Sequence, residues 1–155
     1  MPDVFTPAKR SAVMSRIRSS GNRDTELRMI ALFRTFGITG WRRQQNVFGK
    51  PDFIFPKQQL ALFVDGCFWH RHGGCKFSYT PKSRLDFWLR KFSQNVARDQ
   101  VVTRTLRKAG WRVLRIWECD LAARRQHRVI NRVRRMLKFV PIGAKQSSKK
   151  SKILR

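Results

Sequence analysis

Cysteine and histidine are sparse in this 155-residue chain, three of each, and two of each fall within one nine-residue run, CFWHRHGGC, starting at Cys67. Thiolate and imidazole are donors that zinc favours, and a tetrahedral structural zinc takes four ligands. Cys67, His72 and Cys75 supply three. The remaining cysteine, Cys119, follows the run WRVLRIW. If that run lies near LALFV, Cys119 reaches the loop and completes a Cys3His site, closed to substrate and therefore structural. The plainer reading is three unrelated thiols, but every cysteine is used and none is left over. His70 lies between two ligands without being one, so a bound ion would fix its backbone. Near carboxylates it becomes a general-base candidate. His127, alone in a basic segment, reads as a surface residue.

The carboxylates are informative because they are scarce. Lys and Arg number 35 against 9 Asp and Glu, a formal charge of +26. A field of that size selects for a polyanion, nucleic acid first. Each acid weakens that attraction, so an acid that is retained needs a cap, a buried partner or a metal. Asp52 opens one apolar run and Asp65 ends the next. Metal-dependent nucleases hold Mg2+ between acids on neighbouring strands to polarise a phosphate and activate water. Strand alternation turns Asp65 to the face opposite Val64, so it either pairs with an arginine or acts as a second metal ligand. No long apolar span and no signal-peptide core occurs, which sets the membrane aside and favours a reducing, intracellular (cytoplasmic) setting on DNA. A basic protein that simply coats RNA is the plain alternative.

These side chains must be held by a scaffold that the patterning outlines. Residues 1–23 read as a basic arm, 24–140 as the globular domain, and 141–155 as a basic, disordered tail with too little apolar content to pack. Asp24-Thr25-Glu26 opens a helix that Gly37 ends, with Asp24 or Thr25 as its cap. WRRQQ reads as a strand. DFIF and LALFV read as a hairpin across PKQQ, with LALFV central in the sheet because it is almost wholly apolar. Residues 84–108 read as the longest helix, WRVLRIW as a strand and 126–138 as a last helix. The order α-β-β-β-α-β-α predicts an α/β fold around a mixed sheet flanked by helices.

On the long helix, Trp88, Lys91, Asn95 and Asp99 fall within about 80° of one another. A core stripe would not carry Lys, Asn and Asp, and a solvated face would not need Trp. Phe68 and Trp69 are either core residues or a wedge. Apolar side chains pushed between base pairs unstack them, and a mismatch lowers the cost of unstacking.

GKPDFIF, FVDGCFWHRHGGC, FWLRKFSQNVARD and GWRVLRIWECDL, in that order, resemble the very short patch repair (Vsr-type) DNA mismatch endonuclease family across residues 8–120. The resemblance implies a restriction-endonuclease-like core. It also implies nicking of one DNA strand 5′ to the T of a T:G mismatch, the product of 5-methylcytosine deamination. By that resemblance Asp52 and the Val64 carbonyl hold catalytic Mg2+, and His70 activates water. Asp99 and Glu26 orient the histidine or the water, and Cys67, His72, Cys75 and Cys119 hold structural Zn2+. Phe68, Trp69 and Trp88 intercalate, while Met14, Lys91 and Asn95 recognise the mismatched pair. The implied partners are double-stranded DNA with a T:G mismatch and, functionally, a cytosine-5 methyltransferase and a repair polymerase. One nick at an asymmetric mismatch suits a monomer. A DNA-binding zinc protein without catalysis, or a nuclease of broader mismatch specificity, stands as the alternative.

Overall fold

In a computed structural model of the chain, the described residues are 23–138 together with Thr6 and Ala8. The arm with Met14 and the tail 141–155 lie outside them, so the expectations for both do too.

A π-helical turn, Arg23–Leu27, runs directly into helix α1, Arg28–Thr35. Asp24 and Thr25 therefore sit inside a helical run rather than at the head of α1, where Leu27 takes the capping position with no side-chain hydrogen bond. The end matches expectation. Gly37 adopts φ +66°, its amide donates to the Arg34 carbonyl, and the Ile38 amide donates back to Phe33. That pair of bonds satisfies the last carbonyls and needs a left-handed residue, which glycine takes at least cost.

The hairpin forms as patterned. Strand β1, Phe53–Phe55, pairs antiparallel with β2, Leu60–Asp65, around a 3-10 turn at Pro56–Gln58. Helix α2, Leu85–Lys108, crosses over to strand β3, Arg112–Trp117, which runs parallel to β2. The sheet order β1-β2-β3 makes β2 the centre strand, and every residue of it is buried. Helix α3, Gln126–Lys138, closes the described fold.

The WRRQQ strand is corrected to a single bridge between Arg42 and Ile54. Gln44 adopts φ 52°, and one left-handed residue turns the chain off the ladder before a second pair can form.

Side-chain alternation divides the core into two sides. Phe53, Phe55, Leu60, Leu62, Val64, Leu114 and Ile116 face α1 and α3, where Phe33, Ile130 and Val133 are fully buried. Ala61 and Phe63 face Val102 and Leu106 of α2. The result is three layers with the chemistry-bearing loop leaving the end of β2, the position where open α/β sheets expose ligands.

Candidate active site and metal cluster

Asp52 stands where the hairpin ladder stops. Extending the pairing of Phe53 with Leu62 by two residues sets Pro51 opposite Val64. The Val64 amide instead donates to Asp52 Oδ2 at 2.7 Å. This bond locks one carboxylate oxygen against the end of β2. Burial pushes the Asp52 carboxyl up to about 6, and the charges of Glu26 and Asp65 add to it, against the pull of the Val64 amide and His70. Glu26 is buried and held by the Arg43 guanidinium, whose Nε donates to Oε1 at 2.6 Å.

His70 follows five residues after β2 and is drawn back by its amide bond to the Gly66 carbonyl. Its Nδ1 lies 2.6 Å from Asp99 Oδ2 on α2. Burial pulls the imidazole down, but the Asp99 bond and the charges of Asp65 and Asp99 more than offset it, so the net shift is upward. An acid bound at Nδ1 leaves Nε2 as the nitrogen able to exchange a proton with water. The pair opens onto a groove of about 660 Å3, lined also by Thr103, Arg104 and Arg107.

Asp65 is taken by an arginine, one of the two alternatives the sequence offered. Arg115 Nη1 donates to Asp65 Oδ2 at 2.7 Å, and Asp65 Oδ1 lies 3.9 Å from His70 Nδ1. Burial raises the Asp65 carboxyl, against the pull of His70 and Arg115. Arg115 also reaches Thr103 Oγ1 and the Asp99 carbonyl, both at 3.3 Å. It was missed from sequence, and the available signal was the lone acid Asp65 that needed a partner.

The four expected metal ligands converge. Donor atoms of Cys67, His72, Cys75 and Cys119 all lie within 4.8 Å of one another. His72 Nδ1 is 3.5 Å from Cys67 Sγ and 3.4 Å from Cys119 Sγ. Zinc bonds of about 2.3 Å to sulfur and 2.0–2.1 Å to nitrogen at tetrahedral angles give S···N edges of about 3.5 Å, so the donor set fits. Pairing of β3 beside β2 is what brings Cys119 to the loop. Burial pushes the Cys67 thiol up to about 12 and raises Cys119 too, so a cation at the centre is what would make them thiolates. Trp117 stacks on His72 with centroids 4.3 Å apart and planes 10° from parallel. Arg125 donates to Cys119 Sγ at 3.7 Å, and Glu118 accepts from the Cys67 amide at 3.3 Å. Neither of these supports was anticipated.

Phe68 is the hub of an aromatic cluster, with Trp69, Trp88 and Phe92 rings at 5.1, 5.4 and 5.1 Å. Phe68 and Trp69 are half-buried, whereas Trp88 is buried. Asn95 Nδ2 donates to the Trp69 carbonyl at 3.0 Å, so its amide braces the loop, while Lys91 is exposed on the same helix. The expected stripe on α2 is thus the face turned to the loop, from Trp88 through Asn95 to Asp99.

The family model described as DNA mismatch endonuclease Vsr matches residues 2–76. A type II nicking enzyme of Xanthomonas oryzae pv. oryzae, V.XorIIP, is 40% identical over 122 residues, which cover 79% of this chain and 88% of that one. The type II nicking enzyme V.NmeAIP of Neisseria meningitidis serogroup A is 39% identical over 124 residues, 78% of this chain and 85% of the relative. The DNA mismatch endonuclease Vsr of Escherichia coli strain K12 is 38% identical over 126 residues, 80% of this chain and 78% of the relative. With that identity sustained over most of both chains, the chain belongs to the Vsr family of DNA mismatch endonucleases.

Proposed function

We propose that this chain nicks one strand of duplex DNA 5′ to the T of a T:G mismatch, using Mg2+, and so initiates very short patch repair. The observation that carries the reading is the 2.6 Å His70–Asp99 pair together with a half-buried Asp52 held against the end of the centre strand. Asp52 and the Val64 carbonyl are the groups that would hold Mg2+, which when bound supplies Lewis-acid polarisation of the scissile phosphate. Asp52 Oδ2 is occupied by the Val64 amide, so Oδ1 is the oxygen left for a cation. His70 Nε2 takes the proton of the attacking water, and Asp99 at Nδ1 stabilises the imidazolium that results. Glu26, held by Arg43 with its charge acting on Asp52, would orient the water or the histidine.

The Cys67, His72, Cys75 and Cys119 cluster holds structural Zn2+ and fixes the backbone on both sides of His70. Phe68, Trp69 and Trp88 act together as the wedge, and Asn95 holds the wedge loop through the Trp69 carbonyl. Lys91 on α2 and Met14 from the arm complete contact with the mismatched pair. The core is of the restriction-endonuclease type, spanning 24–140 between the basic arm and tail. The enzyme works as a monomer on intracellular DNA, in functional linkage with a cytosine-5 methyltransferase and a repair polymerase. Among the described residues no helix is long and apolar enough to cross a membrane.

The test is an end-labelled duplex with one T:G pair, placed in a panel of methylated-cytosine contexts and incubated with Mg2+ or EDTA. A single Mg2+-dependent cut 5′ to the mismatched T, absent from T:A and C:G duplexes, is the expected result. Equal cutting at other mismatches would replace T:G specificity with a broader one. Tight binding without a cut in any context would leave a DNA-binding zinc protein.

A further inference from the structure

Helix α3 sorts its cations by face. Three are engaged: the half-buried Arg125 with Asp120 and Cys119 Sγ, the half-buried Arg132 with the Arg115 carbonyl, and the exposed Arg134 with the Phe36 carbonyl. The others are not. Arg128, Arg135 and Lys138 are exposed, as is Arg124 in the 3-10 turn Ala123–Arg125 that leads in, and none of these side chains has a hydrogen bond or ion pair among the described residues. At about 100° per residue, Arg128, Asn131, Arg135 and Lys138 lie within about 80°, with Arg124 in line at the head. From Arg124 to Lys138 the ridge is about 21 Å long at about 1.5 Å per residue. Residues 121–138 contain no acid. Like charges three or four apart destabilise a helix. A surface that keeps two such pairs, Arg124 with Arg128 and Arg135 with Lys138, is matched to an external polyanion.

The ridge does not belong to the active-site face. Val129, Ile130 and Val133 of α3 pack on the Leu62 side of the sheet, while α2, which carries Asp99, packs on the Phe63 side. The two cationic surfaces are separated by the sheet and its helices. The apolar stripe of α3 is spent in the core, so no exposed aromatic or aliphatic anchor remains there for a protein groove or a bilayer. What remains is a straight row of point charges and an amide, which suits closely spaced phosphates.

We propose that the Arg124–Arg128–Arg135–Lys138 ridge is a second duplex-DNA surface, engaging backbone phosphates other than those at the cut. It rests on the reading that the cut duplex lies against the His70–Asp99 side. The phosphates are those of a second duplex, because the sheet stands between the ridge and the side that carries His70 and Asp99; the far arm of a kinked duplex is the alternative that the test separates.

The experiment compares the full chain with R124A/R128A/R135A/K138A, whose fold is checked by circular dichroism, and with the charge-keeping R124K/R128K/R135K. Binding to short and long matched duplexes is measured in EDTA against salt, and two-colour fluorescence reports whether one protein holds two duplexes. Each phosphate contact contributes about 0.9 to the slope of log affinity against log salt, so loss of four cations is expected to flatten the slope on long DNA by up to about 3.6. The lysine variant is expected to keep it. Nicking of a short T:G duplex by the alanine variant is expected to match the parent protein. Loss of two-colour pairing in the alanine variant assigns the ridge to a second duplex. Loss of slope without any pairing in the parent would overturn the second duplex as the source and leave the far arm. An unchanged slope and affinity on long DNA would overturn the proposal. Failure of the parent protein to nick T:G would overturn the function proposed above while leaving this binding result intact.

Discussion

Replacing Arg115 with methionine leaves one buried carboxylate without its counter-charge. Asp65 is 4% exposed and takes its 2.7 Å bond from Arg115 Nη1, while Asp99 Oδ1 lies 3.6 Å from the same nitrogen. The guanidinium rests over the Phe63 ring at 4.5 Å, directly across the β2–β3 register, so methionine fills much of the space and the lost charge dominates. Removing one partner of a buried pair costs about 3–5 kcal/mol, and the partial exposure of Arg115 places this case near about 3 kcal/mol. In a domain of this size that corresponds to a fall in Tm of about 10 °C. Chemical denaturation of the metal-loaded protein measures it. Asp65→Leu with Arg115→Met removes both charges and is expected to recover most of the loss. Arg115→Lys recovers only part, because one ammonium cannot span Asp65, Thr103 and the Asp99 carbonyl together. A loss under about 1 kcal/mol for Arg115→Met, or a double variant no better than the single, would refute this account of Asp65.

Four further outcomes follow from the same geometry. A carboxyl raised to about 6 holds its proton more tightly folded than unfolded, so Asp52 contributes stability at low pH that is lost as pH rises through about 6; the metal-free parent protein, but not Asp52→Asn, is expected to show that component in pH-dependent melting. The same proton competes with a cation, so Mg2+ affinity measured by calorimetry is expected to weaken about tenfold per unit below pH 6. Cys119→Ser is expected to drop zinc content from about one ion per chain to near none and to expose the amides of 67–80 to hydrogen exchange, with the β2 core still protected. Gly49→Ala introduces a Cβ that strikes Val102 Cγ1 at φ +76°, and the combined strain and overpacking are expected to cost about 2–4 kcal/mol in denaturation.

Much of the site was legible because its chemistry is concentrated in a few residue types. Cys119 was placed beside the loop from the apolar character of WRVLRIW and LALFV, since two such runs belong in one sheet and their ends carry the ligands together. The stripe from Trp88 to Asp99 was legible from helical period, and Asn95 and Asp99 do face the loop. Other features depend on contacts that spacing does not encode. WRRQQ has strand-like flanks, yet a left-handed Gln44 ends its pairing after Arg42. Asp24 and Thr25 have the chemistry of caps, but the π-helical turn carries the helix past them. Arg115 alternates with apolar neighbours on β3, a pattern that does not name its partner; only the tertiary placement of α2 shows it spanning Asp65 and Asp99. Trp88 is buried among aromatics, so the wedge proposed for it rests on the cluster it shares with the half-buried Phe68 and Trp69 rather than on its own exposure.

The most direct test of the catalytic assignment is single-turnover nicking of a T:G duplex by the parent protein, Asp52→Asn and His70→Ala, with binding to the same duplex measured in parallel. The account predicts that both variants bind the mismatch with near-parent affinity while the rate of cutting falls by at least about 100-fold, the scale of a lost general base or metal ligand. Cutting at the parent rate by either variant would contradict it, because the chemistry would then lie outside the Asp52, His70 and Asp99 cluster.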